Sequence, residues 1–428
     1  MAGLQGKRIL LGVSGSIAAY KAAEWTRELV KEEALVQVIL TEAAERFVPA
    51  LTFAALAGTS VHRDMFADDP EGMMAHINLS READALLIAP ATAQTIARLA
   101  AGMADNLLSA VVLAARIPVL ICPAMNSAMF NHPATQDNIR RLRQFGYRVL
   151  QPGCGGLACG EVGDGRLPDW DEAREALLSL FAPTDLRGIK VLITAGPTRE
   201  AIDPARYLSN RSSGKMGFAL ARTAMRRGAS VTLVAGPVAL ADPPGMEVLR
   251  VESAKEMAEC VFARSAQCRV IVKAAAVADF AVEAAAEHKI KKTGTGLQLD
   301  LVKNIDILAE LGSRKGPRQI LVGFAAESRE HLQEGTRKLQ EKNLDLIVIN
   351  DILGAHSGFD VDTNQVTLLD QNGSQEIPLL SKEDTADRIW DAVCALLSCS
   401  RFGRVELSIS SHPAQAGLFS TRPGENPA

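Results

Sequence analysis

Aromatic residues supply only 4% of this chain. Its layers are therefore expected to pack through small and branched aliphatic side chains, as tightly packed α/β layers do. No apolar run approaches the roughly 20 residues of a membrane span, so no membrane partner is expected. There is no basic excess. A net charge of −4 leaves no electrostatic footprint for nucleic acid. The seven cysteines are scattered, odd in number and never spaced C-x-x-C, which fits a reducing cytoplasm rather than a disulfide framework. The opening MAGLQGKRILLGV runs straight into a strand pattern and does not read as a signal peptide. Two familiar nucleotide loops are also missing. Gly12 and Gly15 do not make G-x-G-x-x-G, and Ser209 stands where a Walker A loop before Gly214-Lys215 needs its first Gly.

What is present is a repeated strand–helix alternation. It predicts an α/β chain of two doubly wound, Rossmann-like domains. The first, flavodoxin-like, covers 1–182, a Pro- and Gly-bounded connector covers 183–188, and the second covers 189–399. Residues 400–428 lose periodicity, collect Ser, Pro and Gly, and read as a disordered tail.

In the first unit, strands are expected at 8–13, 36–40, 85–90, 117–122 and 147–150, each followed by small or hydroxyl residues. The Ser14-Gly15-Ser16 turn suits the phosphate of a mononucleotide, because free backbone N–H groups and a helix dipole face the anion there. The segment GCGGLACGEVGDGRL (153–167) holds too many glycines for a helix or strand interior and is expected to be a mobile flap. Cys154 and Cys159 lack a nearby His, so zinc is not expected and a reactive thiol or lid is. His76 alone would read as a surface or capping residue. Its company in one sheet raises it to a candidate.

SGSIAAYK, HINLS, APATAQTIARLAAGMADNLLS, PAMNSAMF and the LACG flap together resemble the flavin-dependent cysteine decarboxylases, phosphopantothenoylcysteine decarboxylase most of all. The resemblance covers the whole first unit. It implies FMN held by Gly15, Ser16, Ile17, Thr41, Thr92, Ala93, Gln94, Thr95 and Ala124. It implies His76 as the essential base, Asn126 as the group that binds the substrate carboxylate, and Cys159 as the acid that completes turnover. Phe130 stands where some members carry Trp. The chemistry suits these types. A cysteine carboxylate loses CO₂ only if the electron pair left behind has a sink, and oxidation at the carbon bearing sulfur creates one. Flavin supplies that redox step, and protein groups supply orientation and protons.

The second unit turns on RYLSNRSSGKMG (206–217), entered through ITAGPTRE (193–200). A strand at 190–194 should lead into a long polar loop and then a helix from about Lys215, a second phosphate-type site. Asn372-Gly373 between apolar runs predicts a hairpin. KIKK (289–292) and the Lys338/Lys342 pair would ordinarily be solvated faces. Together with AAAVADF and VGFAAE, however, the set resembles phosphopantothenate–cysteine ligase over roughly 189–398. This implies CTP-driven conversion of 4′-phosphopantothenate to an acyl-cytidylate, which L-cysteine then captures. Lys289 is implied in acyl-cytidylate formation and Asn210 in engaging that intermediate. CTP is implied at Ala274, Ala275, Asp279, Lys289, Ile305, Asp306, Ile307, Leu308, Phe324, Lys338 and Lys342, with Mg²⁺ near Asp279. Ile305 replaces a common Pro, and Lys273 replaces a small or apolar residue.

Both resemblances in one chain imply a bifunctional enzyme of coenzyme A biosynthesis: ligation in the second unit, then decarboxylation in the first. They also imply trimeric decarboxylase contacts, dimeric ligase contacts and a dodecamer. The competing expectation is a regulatory FMN-binding protein with a silent first unit. The full set His76, Asn126, Cys159, Asn210 and Lys289 argues against it.

Overall fold

Ile9-Leu10-Leu11 and Leu86-Leu87-Ile88 are continuous apolar runs, the pattern of strands covered by helices on both faces. The computed structural model describes residues 3–66, 74–158, 160–291, 297–327, 331–351 and 361–399, and the tail call at 400–428, like Cys159, lies outside them.

The first unit begins β1 (Arg8–Val13), α1 (Ala19–Lys31), β2 (Leu35–Leu40), α2 (Glu42–Glu45), α3 (Ala50–Ala57) and β3 (Val61–His62). It continues α4 (Ala75–Glu82), β4 (Ala85–Ala91), α5 (Ala93–Ala101), α6 (Leu107–Ala114), β5 (Val119–Pro123), α7 (Ser127–Asn131), α8 (Pro133–Gln144) and β6 (Arg148–Val149). The strands form one parallel sheet in the order β3-β2-β1-β4-β5-β6. The strand order reverses between β1 and β4, which opens a crevice at their C-terminal ends. One apolar layer, with Trp25, Leu29 and Leu177, covers one face, and another, with Leu99, Leu108 and Val111, covers the other.

The glycine-rich segment is not the irregular flap expected from sequence. β7 (Gly153–Gly156) and β8 (Val162–Arg166) pair as an antiparallel hairpin. The glycines serve close approach: a Cβ on Gly165 would lie 2.2 Å from the Met125 carbonyl oxygen. Met125 N–H donates to Gly165 C=O at 2.9 Å, stitching the hairpin to the loop after β5.

α9 (Trp170–Phe181) leads to the second unit: β9 (Lys190–Ala195), β10 (Arg199–Asp203), β11 (Arg206–Ser209), α10 (Lys215–Arg226), β12 (Ser230–Ala235), β13 (Glu247–Arg250) and α11 (Ala254–Ser265). There follow β14 (Val270–Lys273), β15 (Phe280–Val282), β16 (Leu301–Lys303), α12 (Ile307–Arg314), β17 (Ile320–Glu327), α13 (His331–Glu341), β18 (Leu346–Asp351), β19 (Thr363–Asp370), β20 (Gly373–Ser381) and α14 (Lys382–Cys399). The main sheet runs β13-β12-β9-β14-β17-β18-β19-β20, parallel up to β18 and antiparallel beyond it. The expected hairpin at Asn372-Gly373 is present, with Asp370 Oδ1 accepting from Asn372 N at 2.7 Å and Gly373 N at 3.1 Å.

The expected long loop after β9 is instead interrupted by the β10–β11 hairpin. Arg199 stacks over Tyr207 at 4.5 Å, and Ser209 Oγ donates to Thr198 C=O at 2.7 Å, contacts that run across strands and carry no local sequence signal. Behind the sheet α10 packs on α14, where the fully buried Trp390 donates its indole N–H to Leu220 C=O at 3.0 Å.

One buried cation joins the units. Arg226 on α10 makes two bonds to Glu175 on α9, at 2.6 and 2.7 Å, and a third to Glu383 on α14 at 2.9 Å. Its side chain is 4% exposed. Burial would raise the Glu383 carboxyl's pKa, but its bond to Arg226 together with the charges of Arg226, Arg222 and Arg174 outweighs that and holds it below the ordinary range. Arg226→Ala leaves two carboxylates without their partner and should cost about 3–5 kcal/mol in urea unfolding. The stability Glu383 contributes to the clamp is fully present above the unfolded Glu value of about 4.3 and is lost as pH falls through its lower folded value, so the variant's deficit should shrink in acid.

Candidate functional site

The first crevice is closed at its base by a hydroxyl. Ser14, buried at the end of β1, donates its Oγ–H to Pro90 C=O at 2.7 Å and accepts from Thr92 N at 3.0 Å. This single side chain ties Gly15, Ser16 and Ile17 to the start of α5. There Thr92 caps the helix through Thr95 N at 3.2 Å and its hydroxyl lies 3.1 Å from that of Thr95. Thr41, at the end of β2, caps α2. A Cβ on Gly15 would fall 2.4 Å from Ala43 Cβ, so the β1 turn passes the β2 turn at backbone distance. Ala124 joins through its N–H to Ala91 C=O at 3.0 Å. The expected set Gly15, Ser16, Ile17, Thr41, Thr92, Ala93, Gln94, Thr95 and Ala124 thus gathers at the C-terminal ends of β1, β2, β4 and β5.

A cavity of about 500 Å³ lies beside it, lined by Ser16, Ile17, Tyr20, Lys21, Ala124, Asn126 and the hairpin residues Gly156, Leu157 and Ala158. A second, of about 550 Å³, is lined by Thr41, Arg63, Phe66, Asn106 and Leu107 among others. The orientation of Asn126 is fixed by its surroundings. Its Oδ1 accepts from Ala128 N at 2.8 Å as the cap of α7, which leaves Nδ2 as the donor, and Nδ2 already holds the Glu161 carboxylate at 2.7 Å. An amide that presents N–H groups to a carboxylate is the arrangement a carboxylate substrate needs. Glu161 was not legible as a partner, because the flap's fold was not. His76 stands on the first turn of α4 and is not among the residues lining the Asn126 cavity. Its Nδ1 is buried without a hydrogen-bond partner among the described residues.

The second crevice repeats the plan between β9 and β14. Thr194, fully buried, accepts from Ala275 N at 3.1 Å, and Thr198 accepts from Ala278 N at 3.0 Å. Asn210 reaches across to donate to Ala276 C=O at 2.9 Å. Asn304 joins the two expected nucleotide segments, donating from N to Asp279 C=O and from Nδ2 to Ala278 C=O, both at 2.9 Å. Asp306 caps α12 through Ala309 N at 3.0 Å and pairs with Lys342 at 2.7 Å. Lys342 is therefore an ion-pair partner rather than a solvated charge. Ala274, Ala275 and Phe324 share one small cavity. Ile307 and Leu308, the first residues of α12, are buried, whereas Ile305 and Asp279 are exposed. Lys338 sits half-buried on α13. Lys289 is exposed. Its neighbour Ile290 is anchored by N–H to the buried Asp203 carboxylate at 3.2 Å. Lys292, the last residue of KIKK, lies outside the described residues.

Lys273, at the end of β14, donates to Ala275 C=O at 3.2 Å. Burial pushes its ammonium down to about 8; Asp306 opposes that shift and Lys342 adds to it.

The flavoprotein family model matches residues 2–181, and that of the DNA/pantothenate metabolism flavoprotein C-terminal domain matches 186–397. The coenzyme A biosynthesis bifunctional protein CoaBC of Vibrio cholerae is 46% identical over 395 residues, 92% of this chain and 99% of the relative. The chain belongs to the CoaBC family. The Bacillus subtilis member is likewise 46% identical, over 398 residues, covering 92% of this chain and 98% of the relative. Among solved structures, the FMN-dependent cysteine decarboxylase SpaF is 35% identical and covers 42% of this chain and 99% of its own, with a TM-score of 0.37.

Lys273 yields a pH-dependent expectation. The cost of its buried charge is fully present below about 8 and fades as pH rises toward its unfolded value of about 10.4. Lys273→Met should therefore be more stable than the wild type in denaturant at pH 7, with an advantage that shrinks between those two values.

Proposed function

We propose that this chain is a bifunctional coenzyme A biosynthesis enzyme. Residues 189–399 join 4′-phosphopantothenate to L-cysteine at the expense of CTP, and residues 1–182, linked through 183–188, decarboxylate the product to 4′-phosphopantetheine. The observation that supports this most is similarity along nearly the whole length to bifunctional relatives, with a polar crevice at the switch point of each sheet.

The first crevice suits FMN. The Gly15 turn leaves no room for a side chain, and the hydroxyls of Ser16, Thr92 and Thr95 stand at helix starts, where a phosphate is stabilised. FMN, when bound, supplies the two-electron chemistry that makes loss of CO₂ feasible. Asn126 orients the substrate carboxylate, exchanging Glu161 for it. It does so with a neutral donor, so the carboxylate is held without being over-stabilised. His76, whose Nδ1 has no partner among the described residues, acts as the base, and Cys159 returns the final proton. His76 reaches the Asn126 cavity from a neighbouring subunit. Tyr20 on α1 and Leu51 on the adjacent α3, 52% and 80% exposed, give the first unit an apolar face for such trimeric contact. With ligase dimers this makes a dodecamer.

In the second crevice Ala274, Ala275, Asp279, Phe324, Lys338, Lys342 and the turn 305–308 hold CTP. Mg²⁺ near Asp279 neutralises the departing pyrophosphate. Lys289 assists formation of the acyl-cytidylate, and Asn210 positions it. The enzyme works in the cytoplasm, and no described helix is long and apolar enough to cross a membrane. The rival reading, a regulatory flavin binder with a silent first unit, accounts for no residue of the second crevice.

The deciding experiment follows CO₂ from carboxyl-labelled cysteine. Release that requires both CTP and 4′-phosphopantothenate is expected. Pyrophosphate without CO₂ would leave a ligase fused to a silent flavoprotein, and neither product would overturn the reading. Separately, Gly15→Ala should weaken flavin retention by about tenfold or more, read from protein-bound flavin after gel filtration, because the added methyl displaces the β1 turn.

A further inference from the structure

The second crevice contains a cavity of about 130 Å³ lined by two amides whose buried oxygens stand unsatisfied among the described residues. Asn364, on β19, is 1% exposed, and among the described residues its Oδ1 makes no hydrogen bond; Asn350 Oδ1, on β18, is buried and equally unpartnered among them. A buried acceptor left dry carries a desolvation penalty, so the pair calls for an N–H donor from a ligand. The cavity also carries cationic groups. Lys382 is buried, with its ammonium donating to Val361 C=O, and Lys215, whose ammonium pairs with the exposed Asp362 carboxylate at 2.8 Å, begins α10, whose first turn presents backbone N–H groups. One cavity thus offers acceptors for a cation and donors for an anion. Among the described residues no carboxylate lines it, which disfavours a Mg²⁺ site. Its volume, a quarter of the 500 Å³ cavity in the first unit, suits a ligand of a few heavy atoms rather than a nucleotide. Met216 and Phe324 supply a soft, sulfur-tolerant wall.

We propose that this cavity is the L-cysteine site, with Asn350 and Asn364 receiving the amino group and the Lys215–Lys382 side receiving the carboxylate. The inference rests on the ligase reading above. Its location fits the reaction. Ala274, Ala275 and Phe324, assigned to CTP, form part of the cavity wall, and Ala276, also in the wall, is held by Asn210. The amine therefore faces the strand ends where the acyl group is activated. Nearby lysine charge favours the neutral, nucleophilic amine, and amide oxygens accept hydrogen bonds from either form. In the step, the nitrogen lone pair forms the C–N bond while the C–O bond to the CMP phosphate breaks. The electron pair leaves on CMP, and the original ammonium gives up two protons to solvent.

The test uses the full-length enzyme and steady-state pyrophosphate release with cysteine and CTP varied in turn. Asn364→Ala and Asn350→Ala should each raise KM for cysteine about tenfold or more, as loss of a hydrogen bond to a charged group does, while KM for CTP moves less than about twofold. An unchanged KM for cysteine in both variants overturns the proposal. So does a rise confined to CTP, which would give the cavity to the nucleotide. If Asn364→Ala does not fold, Asn350→Ala decides together with the unaltered enzyme. There cysteamine, which lacks the carboxylate, should show kcat/KM at least about tenfold below cysteine, and parity overturns the proposal. Wild-type enzyme that forms no pyrophosphate with all three substrates fails the ligase reading instead, a result separable from either variant outcome.

Discussion

A parallel sheet that changes direction at its middle leaves backbone groups unpaired where the two central strands part, and both crevices of this protein depend on how those groups are satisfied. In the first unit Ser14 does this, bonded to Pro90 and Thr92. In the second, Thr194 and Thr198 do it, accepting from Ala275 and Ala278. These hydroxyls are essentially buried. Each closes the floor of its crevice while the adjacent loop stays open to a ligand, so the site is rigid below and polar above. Larger side chains there would fill the crevice, and apolar ones would leave amides dry.

The second constraint is the buried charge between the units. Arg226 is satisfied only when α9, α10 and α14 are all in place, so the end of the first unit and the back of the second are fixed against each other. A neighbouring Arg227 repeats the device with Asp185 and Asp391. A connector of a few residues would otherwise allow relative motion. Holding two active units together keeps the product of one near the site of the other, which raises its local concentration without any direct channel.

Most strands and helices were legible because their signals are local. The runs at 9–13, 85–91 and 191–195 are buried and nearly all apolar, and Asn372-Gly373 marks its hairpin without help from the rest of the chain. The two hairpins β7–β8 and β10–β11 were not. One is built from glycines, which carry no strand preference, and is held by contact with Met125. The other is held by Arg199 on Tyr207 and by Ser209 on Thr198. In both cases tertiary contacts overrode weak local preference.

The site followed the same division. Sequence alone determined the fold class, the strand ends that carry polar loops, and the residue types at Gly15, Thr92, Asn126, Asn210 and Lys342, because periodicity and turn chemistry are properties of short segments. Only the tertiary structure decided which of those residues meet. It set Asn126 against Glu161, Asp306 against Lys342, and Asn304 between Ala278 and Asp279, and it left His76 away from the Asn126 cavity of its own chain. It also buried the carbonyl oxygens of the Asn350 and Asn364 side chains with no partner among the described residues. Hydrogen bonding and desolvation act between groups distant along the chain, so no pattern of neighbours in the sequence encodes them.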